Sequence, residues 1–461
     1  MWAGSGVRSH ATDTPHTVRV TRQEVFTVVE TLSPPRTGEV SAPPAPPAAP
    51  RRRGPFVGLV ASHAVSLIGN SFTQVAMPWF VLETTGSAAL TGVTAFFGFL
   101  PLVLSAVFGG AVVDRFGQRR ANIVADVASG VTVAMIPLLH LTVGIAFWQI
   151  LVFVFLGAML DAPGVAARRA LLPDVAGRAG IGLERANSLF ETVYSVGQLV
   201  GPPVAGLLIA ASGAVSALWA NAAAFAVSSL LIVFTVPRDA GATAGTAQSY
   251  GKQLMDGLRF VWGNALMRTL SLLFASCLFF VMPLYAVVMP ALFREEYGNA
   301  TYLGLLLAAE GGGGILGAML YGVFGHRVSN RAVILGAFLL FSTGVTVYAF
   351  QPPFWTMLLV GLTTGLAVGP MGPISATVFQ RQTPPEMLGR VFGANTSLTF
   401  AAAPLGVLLG GASLQWLGFP LTMGVIAAGS LLVTVFAFTN RALHALDDPA
   451  LAGAGDTPPV G

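Results

Sequence analysis

Gly109-Gly110-Ala-Val-Val-Asp114-Arg115-Phe-Gly117-Gln118-Arg119-Arg120 is a charged connection between two long apolar runs, 88–112 and 121–143. Each run has about 20 to 26 residues with few or no charges, enough to cross the roughly 30 Å hydrocarbon core of a bilayer as a helix. Outward from this point such runs recur from Phe56 to Thr439. They predict twelve spans at 57–82, 88–112, 121–143, 145–166, 188–211, 214–236, 268–292, 301–325, 331–350, 354–378, 392–414 and 419–439. Of 24 Lys and Arg, four lie in the N-terminal tail ahead of the triple arginine (Arg8, Arg19, Arg22 and Arg36). Of the other 20, 19 fall on one alternate set of connections and only Arg294 on the other. Basic loops are retained in the cytoplasm. The pattern predicts an all-α, multi-pass protein of the cell membrane with both termini cytoplasmic.

Composition agrees and narrows the function. The 461 residues are 54% hydrophobic and 10% charged, whereas a soluble domain carries roughly a quarter charged residues. The net charge of +4 comes from arginines in short loops beside helix ends, where lipid headgroups lie, and forms no stripe for a nucleic acid. A single cysteine, Cys277, precludes an internal disulfide, and the six histidines (10, 16, 63, 140, 326, 444) are too dispersed for metal-ligand spacing. No phosphate loop, nucleophile elbow or paired His-Glu helix occurs. Neither a cofactor, a metal nor an enzymatic reaction is expected.

Five regions follow. Residues 1–53 are polar, end in PPAPPAAP and a triple arginine, and predict a disordered cytoplasmic tail. Residues 54–237 and 268–440 form two six-span bundles, 238–267 a cytoplasmic middle loop with an amphipathic helix from Tyr250 to Arg259, and 441–461 a disordered C-terminal tail. The bundles repeat one another: Gly322-Val-Phe-Gly-His326-Arg327-Val-Ser329-Asn330-Arg331 follows the register of Gly110 to Arg119 after 212 residues, with His326 at the Asp114 position. Gly201-Pro202 in the fifth span is echoed by Ala403-Pro404 in the eleventh. Parallel six-helix repeats are the plan of a rocking transporter that holds its substrate between the repeats.

The connection quoted first, with Gly110, Asp114, Arg115, Gly117, Arg119 and Arg120, resembles the loop between helices 2 and 3 of the major facilitator superfamily. Leu82-Glu-Thr-Thr-Gly86-Ser87-Ala, Arg169-Ala-Leu-Leu-Pro173, Ala186-Asn187-Ser188, Pro384-Pro385-Glu386 and Gly389-Arg390-Val391 resemble the drug-exporter branch that includes macrolide-efflux and enterobactin-exporter-like proteins. Gly197, Gly201, Pro202 and Gly206 are similar to the fifth-helix motif of proton-coupled exporters. The resemblance covers about residues 55 to 440 and implies the major facilitator fold. Two positions depart from it. Gln118 replaces a basic residue, and the intramembrane arginine of the fourth helix is missing, since Arg168 is expected beyond the helix end. In the latch this resemblance implies, Asp114 binds the exposed N–H groups where the eleventh span begins near Gly389, a contact of roughly 0.3–2 kcal/mol. Asp161 is a candidate partner for Arg115 and Arg119. The same arginines would equally serve as plain topology anchors.

Glu310 lies midway along the eighth span, ahead of Gly311 to Gly314. Charged at the bilayer centre it would cost at least roughly 2.5–3.5 kcal/mol, so it should find a cavity, a partner or a proton. It is the first candidate for proton coupling, with Asp126 and Glu191 behind it; both of these could instead reach the inner interface. Polar residues at steps of three and four mark one face of the first span (His63, Ser66, Asn70, Gln74) and of the fifth (Asn187, Glu191, Tyr194, Ser195, Gln198). Either set could line a cavity or bond to neighbouring helices. Met282, Tyr285 and Met289 of the seventh span add an adaptable apolar surface. Asn70, Gln74, Tyr194, Gln198, Met282, Tyr285 and Met289 are the substrate-cavity candidates. The expectation is a monomeric, proton-coupled exporter of an amphipathic small molecule such as a drug, macrolide-like antibiotic or siderophore. Its rivals are uptake or lipid flipping by the same fold, and a receptor or scaffold that moves nothing.

Overall fold

The computed structural model describes residues 53–238 and 250–447, and within them the side chains of all but 105–116 and 250–253. All regular structure among the described residues is helical. Helix α1 (Gly54–Thr85) opens on Pro55, whose missing N–H is no loss in a first turn, and closes on Gly86 in the left-handed conformation. Helices α2 (Ala88–Phe116) and α3 (Gln118–Thr142) meet at Gly117, where φ is 77° and ψ 147°, backbone that only glycine adopts without strain. Helix α4 (Phe147–Ala179) stops at Gly180, again left-handed. Helix α5 (Leu183–Thr235) is broken at Gly213 (φ 82°, ψ 166°) into two arms.

Helix α6 (Tyr250–Gly263) precedes α7 (Ala265–Pro283), whose first N–H groups are capped by the Asn264 side chain. A π turn, Leu284–Val288, links α7 to α8 (Met289–Glu296). Then come α9 (Thr301–Phe324), α10 (Asn330–Ala349), α11 (Phe354–Val368) and α12 (Met371–Gln382), the last two parted at Gly369-Pro370. Helix α13 (Leu388–Phe400) and α14 (Ala402–Thr439), broken at Gly418 (φ 75°, ψ 174°), complete the bundle. Among the described residues nine helices are long and apolar enough to cross a membrane. Trp148, Phe350, Trp355 and Trp416 stand exposed at the end opposite the arginines, where an aromatic belt would meet a membrane surface.

The helices before Arg238 pack largely on one another, α1 on α5 and α3 on α4, and those after Tyr250 do the same, α9 on α11 and α7 on α14. The sets meet most extensively at two seams, α2 against α14 and α5 against α9, and also where α1 and α2 touch the π turn, α1 touches α8, and α2 touches α6 and α13. At the first, Gly92 approaches the Gly411 backbone and Ser87 donates to Gln415 Oε1 at 2.9 Å. At the second, Gly304 lies on the Pro202 carbonyl and Gly206 on the Ala300 carbonyl, where a Cβ would collide with backbone. These contacts lie toward the arginine-poor end.

Several expected boundaries move. Helix α4 continues past 166 to Ala179 because a charge does not end a helix; Gly180 does. The amphipathic helix of the middle loop extends to Gly263. The expected C-terminal tail begins later than 441. Arg441–Asp447 is a 3-10 helix that buries Leu443 and Leu446, while Asp447 accepts a hydrogen bond from Ser329 and faces Arg331 at 3.8 Å. The expected N-terminal tail through residue 52, the loop at 239–249 and residues 448–461 lie outside the described residues.

Candidate functional site

The first helical set encloses a charged network. Arg168 of α4 is 1% exposed and its Nη1 lies 2.7 Å from Asp126 Oδ1 of α3, whose side chain is wholly buried. Arg168 Nη2 donates to Ser66 Oγ of α1 at 3.0 Å. Asp126 Oδ2 accepts from Ser228 of α5 at 2.6 Å, and Ser228 pairs with Ser62 of α1 at 2.8 Å. Such pairing is what a guanidinium removed from water requires. Asp161, also on α4, lies 3.6 Å from Arg168 Nη2, is 19% exposed, and accepts from Asn70 of α1 at 3.1 Å. One guanidinium thus faces two carboxylates, and Asp126 has the closer hold on it. His63 stacks on Phe190 at 3.9 Å between ring centres, and its Nε2 has no hydrogen-bond partner.

Three expectations are corrected here. Arg168 lies inside its helix and is buried, not beyond the helix end, because the helix continues to Ala179. Arg119 does not reach Asp161. Its Nε and Nη2 donate to the carbonyls of Val236 and Val233, at 2.8 and 2.9 Å, capping the end of α5. Asp126 does not reach an interface, being sealed among α1, α3, α4 and α5. Gly164 makes the close packing possible, since a Cβ there would press on Ala125 at 3.0 Å. The side chains of Gly110, Asp114 and Arg115 lie outside the described residues, and Arg120 is exposed.

The second set holds Glu310 of α9. Tyr285 on the π turn, Tyr348 of α10 and Cys277 of α7 lie nearby. No Lys, Arg or His pairs with Glu310 among the described residues. Tyr348 in turn donates to the Met357 carbonyl of α11 at 3.2 Å. The backbone at Glu310 is fixed by Gly365 of α11, whose absent side chain lets the Glu310 carbonyl approach, and Gly311 rests near the Gln198 carbonyl of α5.

The remaining candidates scatter. Glu191 pairs with Arg169 at 3.0 Å, and both side chains are more than half exposed. Gln74 and Tyr194 are exposed, while Asn70, Gln198 and Met282 are partly buried. Met289 is not on a cavity wall: it is fully buried in the core, because the π turn shifts its face of the helix inward. Tyr285, near Glu310, is partly buried. In the fifth-helix motif, Gly197 and Gly201 seat α5 on Leu67 and Ser71 of α1, while Pro202 and Gly206 sit at the seam with α9. Sequence reasoning missed Arg168, Ser228 and Tyr348 as network members. Asp161, Gly164 and Arg168, at steps of three and four on one helix face, were the available signal.

A buried ionic network in one helical set, an unpaired carboxyl in the other and an apolar exterior describe a membrane transporter. The fold agrees: a nucleoside transporter structure, NupG, superposes with a TM-score of 0.70 over 84% of this chain and 100% of its own, at 14% identity. The chain belongs to the major facilitator superfamily, and its residues 45–459 match the family described as transmembrane secretion effector. It is 36% identical to the multidrug efflux pump Tap of Mycolicibacterium fortuitum, over 86% of this chain and 98% of that one. It is 24% identical to macrolide efflux protein A of Streptococcus pyogenes, over 77% of this chain and 88% of that protein. The protein is accordingly a multi-pass membrane transporter.

Proposed function

We propose that this chain exports an amphipathic small molecule from the cytoplasm in exchange for protons, by rocking two six-helix halves about a central cavity. The near full-length relation to the Tap pumps carries the direction and the substrate class. Nine long apolar helices among the described residues, two of them divided at Gly213 and Gly418, together with Ala88–Phe116, support a reading of twelve crossings. Arginine placement supports a cytoplasmic position for the loops between α2 and α3 and between α4 and α5, and for both termini.

Alternating access requires a state open toward the cytoplasm. In that state substrate enters and Glu310 releases its proton inward. After rocking, Glu310 takes up a proton from outside as substrate leaves. One charge moving through 100 mV supplies about 2.3 kcal/mol, enough for a roughly fiftyfold substrate gradient per proton. Asp114, through the dipole of α13, would latch the inner side in the opposite state. The test is accumulation of erythromycin and tetracycline in cells with and without the protein. Lower accumulation, restored by a protonophore, is expected; equal accumulation of both drugs in the two strains would remove the proposal.

A further inference from the structure

We infer that Arg441–Asp447 is a clasp for the second copy of the repeated loop: Asp447 is the positioning residue that ties the connection between α9 and α10 to the end of α14, and the tie stays closed while the halves rock. It rests on the rocking movement proposed above, and adds which residues make the second half move as one body at its arginine-rich end.

The two copies of the loop reach the last helix of their own set by different means. In the first, Arg119 donates to the Val233 and Val236 carbonyls at the end of α5. Arg331 holds the same register in the second copy, but it faces Asp447, at 3.8 Å, on the segment that follows α14. The second copy has no Asp or Glu of its own from Gly322 to Arg331. His326, at the Asp114 position, accepts from Arg327 Nε at 3.2 Å. Asp447 therefore supplies the carboxylate that the loop lacks, and supplies it from within the same set. Movement of one set against the other puts no strain on such a contact.

The glycine position explains how the clasp is gripped. Gly117 sits at φ 77° and gives α3 no side-chain cap. Ser329, its counterpart, sits at φ −61° and ψ 131°, ordinary extended backbone where a side chain costs nothing. Its Oγ accepts from the Ala332 N–H at 3.2 Å, capping α10, and donates its own proton to Asp447 Oδ1. The serine that makes the second copy look degraded is thus one side of the clasp.

Apolar side chains seat the other side. Residues three apart in a 3-10 helix share a face, and Leu443 and Leu446 are both fully buried where the segment packs on α7 and α10. Asn440 turns the chain out of α14, its Oδ1 accepting from the Ala442 N–H at 2.9 Å. Arg331 and Asp447 are both partly exposed, so water and salt screen their attraction. The Ser329 hydrogen bond holds the register more than the charge does.

Hydrogen exchange on the full-length protein in detergent, read by mass spectrometry, follows the loop without need of a substrate. In Asp447→Ala the stretch 326–333 should exchange about fivefold faster, the change in opening equilibrium that one lost hydrogen bond gives. Asp447→Asn keeps an acceptor for Ser329 and should stay near the parent rate. Leu446→Asp, which unseats the segment, should exchange at least as fast as Asp447→Ala. An unchanged rate in Asp447→Ala, or Asp447→Asn as fast as Asp447→Ala, would overturn the positioning role. The movement is tested with Ser329→Cys and Asp447→Cys in a Cys277→Ala background, joined by a short, cleavable bifunctional thiol reagent in everted vesicles. Proton-driven erythromycin uptake should survive the link. Uptake abolished by the link and regained on cleavage would show that the clasp opens in each cycle, and would overturn the closed clasp. If the parent takes up no drug, the export reading falls, and the clasp is decided by hydrogen exchange alone.

Discussion

At the scale of single residues, the Asp126–Arg168 pair is the most demanding feature of the chain. Both side chains are out of water, and each depends on the other and on Ser66 and Ser228. Removing one partner strands the other, at a cost of about 3–5 kcal/mol. Arg168→Gln is therefore expected to lower the thermal unfolding midpoint in detergent by far more than Arg169→Gln, whose ion pair with Glu191 is surface-exposed. Equal midpoints for the two variants would show that the buried pair contributes nothing. The pair itself was not legible because Asp126 and Arg168 lie 42 positions apart; only the shared helix face of Asp161, Gly164 and Arg168 pointed toward it. Arginine density marks a membrane border on average; one arginine turned inward does not follow the average. Glu310 was readable for the opposite reason. It stands alone in an apolar run, and burial makes such a residue conspicuous before its neighbours are known.

At the scale of elements, the apolar runs located the helices and misjudged several ends. Hydropathy reports where lipid is, whereas Gly180, Gly213 and Gly418 report where the backbone turns. The packing of α9 on α11 shows only in the fold. Gly313 and Gly317 lie on the Leu362 and Leu366 carbonyls, Gly365 on that of Glu310, and Gly369 on that of Gly314. Small residues let helix backbones approach in this way within a bilayer. Gly365→Ala should destabilise by about 1–3 kcal/mol, because the new Cβ meets backbone that cannot step aside. Gly372→Ala, which meets nothing within 4 Å, is the control and should leave the unfolding midpoint unchanged. A Gly365→Ala protein as stable as the control would mean that α9 and α11 are not in close contact.

At the scale of the whole molecule, charge and apolarity were enough to give the class. Arginine on alternate connections predicts the orientation, while glycine-close contacts between the two helical sets gather toward the arginine-poor end. The π turn, the 3-10 helix at Arg441–Asp447 and the pairing across the seams could not be read from hydropathy, since each depends on a neighbour distant in sequence. The most direct test of proton-driven export uses everted membrane vesicles. A proton gradient, acid inside, should drive uptake of erythromycin or tetracycline by the parent protein, and uptake should collapse with the gradient. Glu310→Gln vesicles should lose that dependence. Uptake that ignores the gradient in the parent, or that depends on it equally in Glu310→Gln, would contradict coupling through this carboxyl.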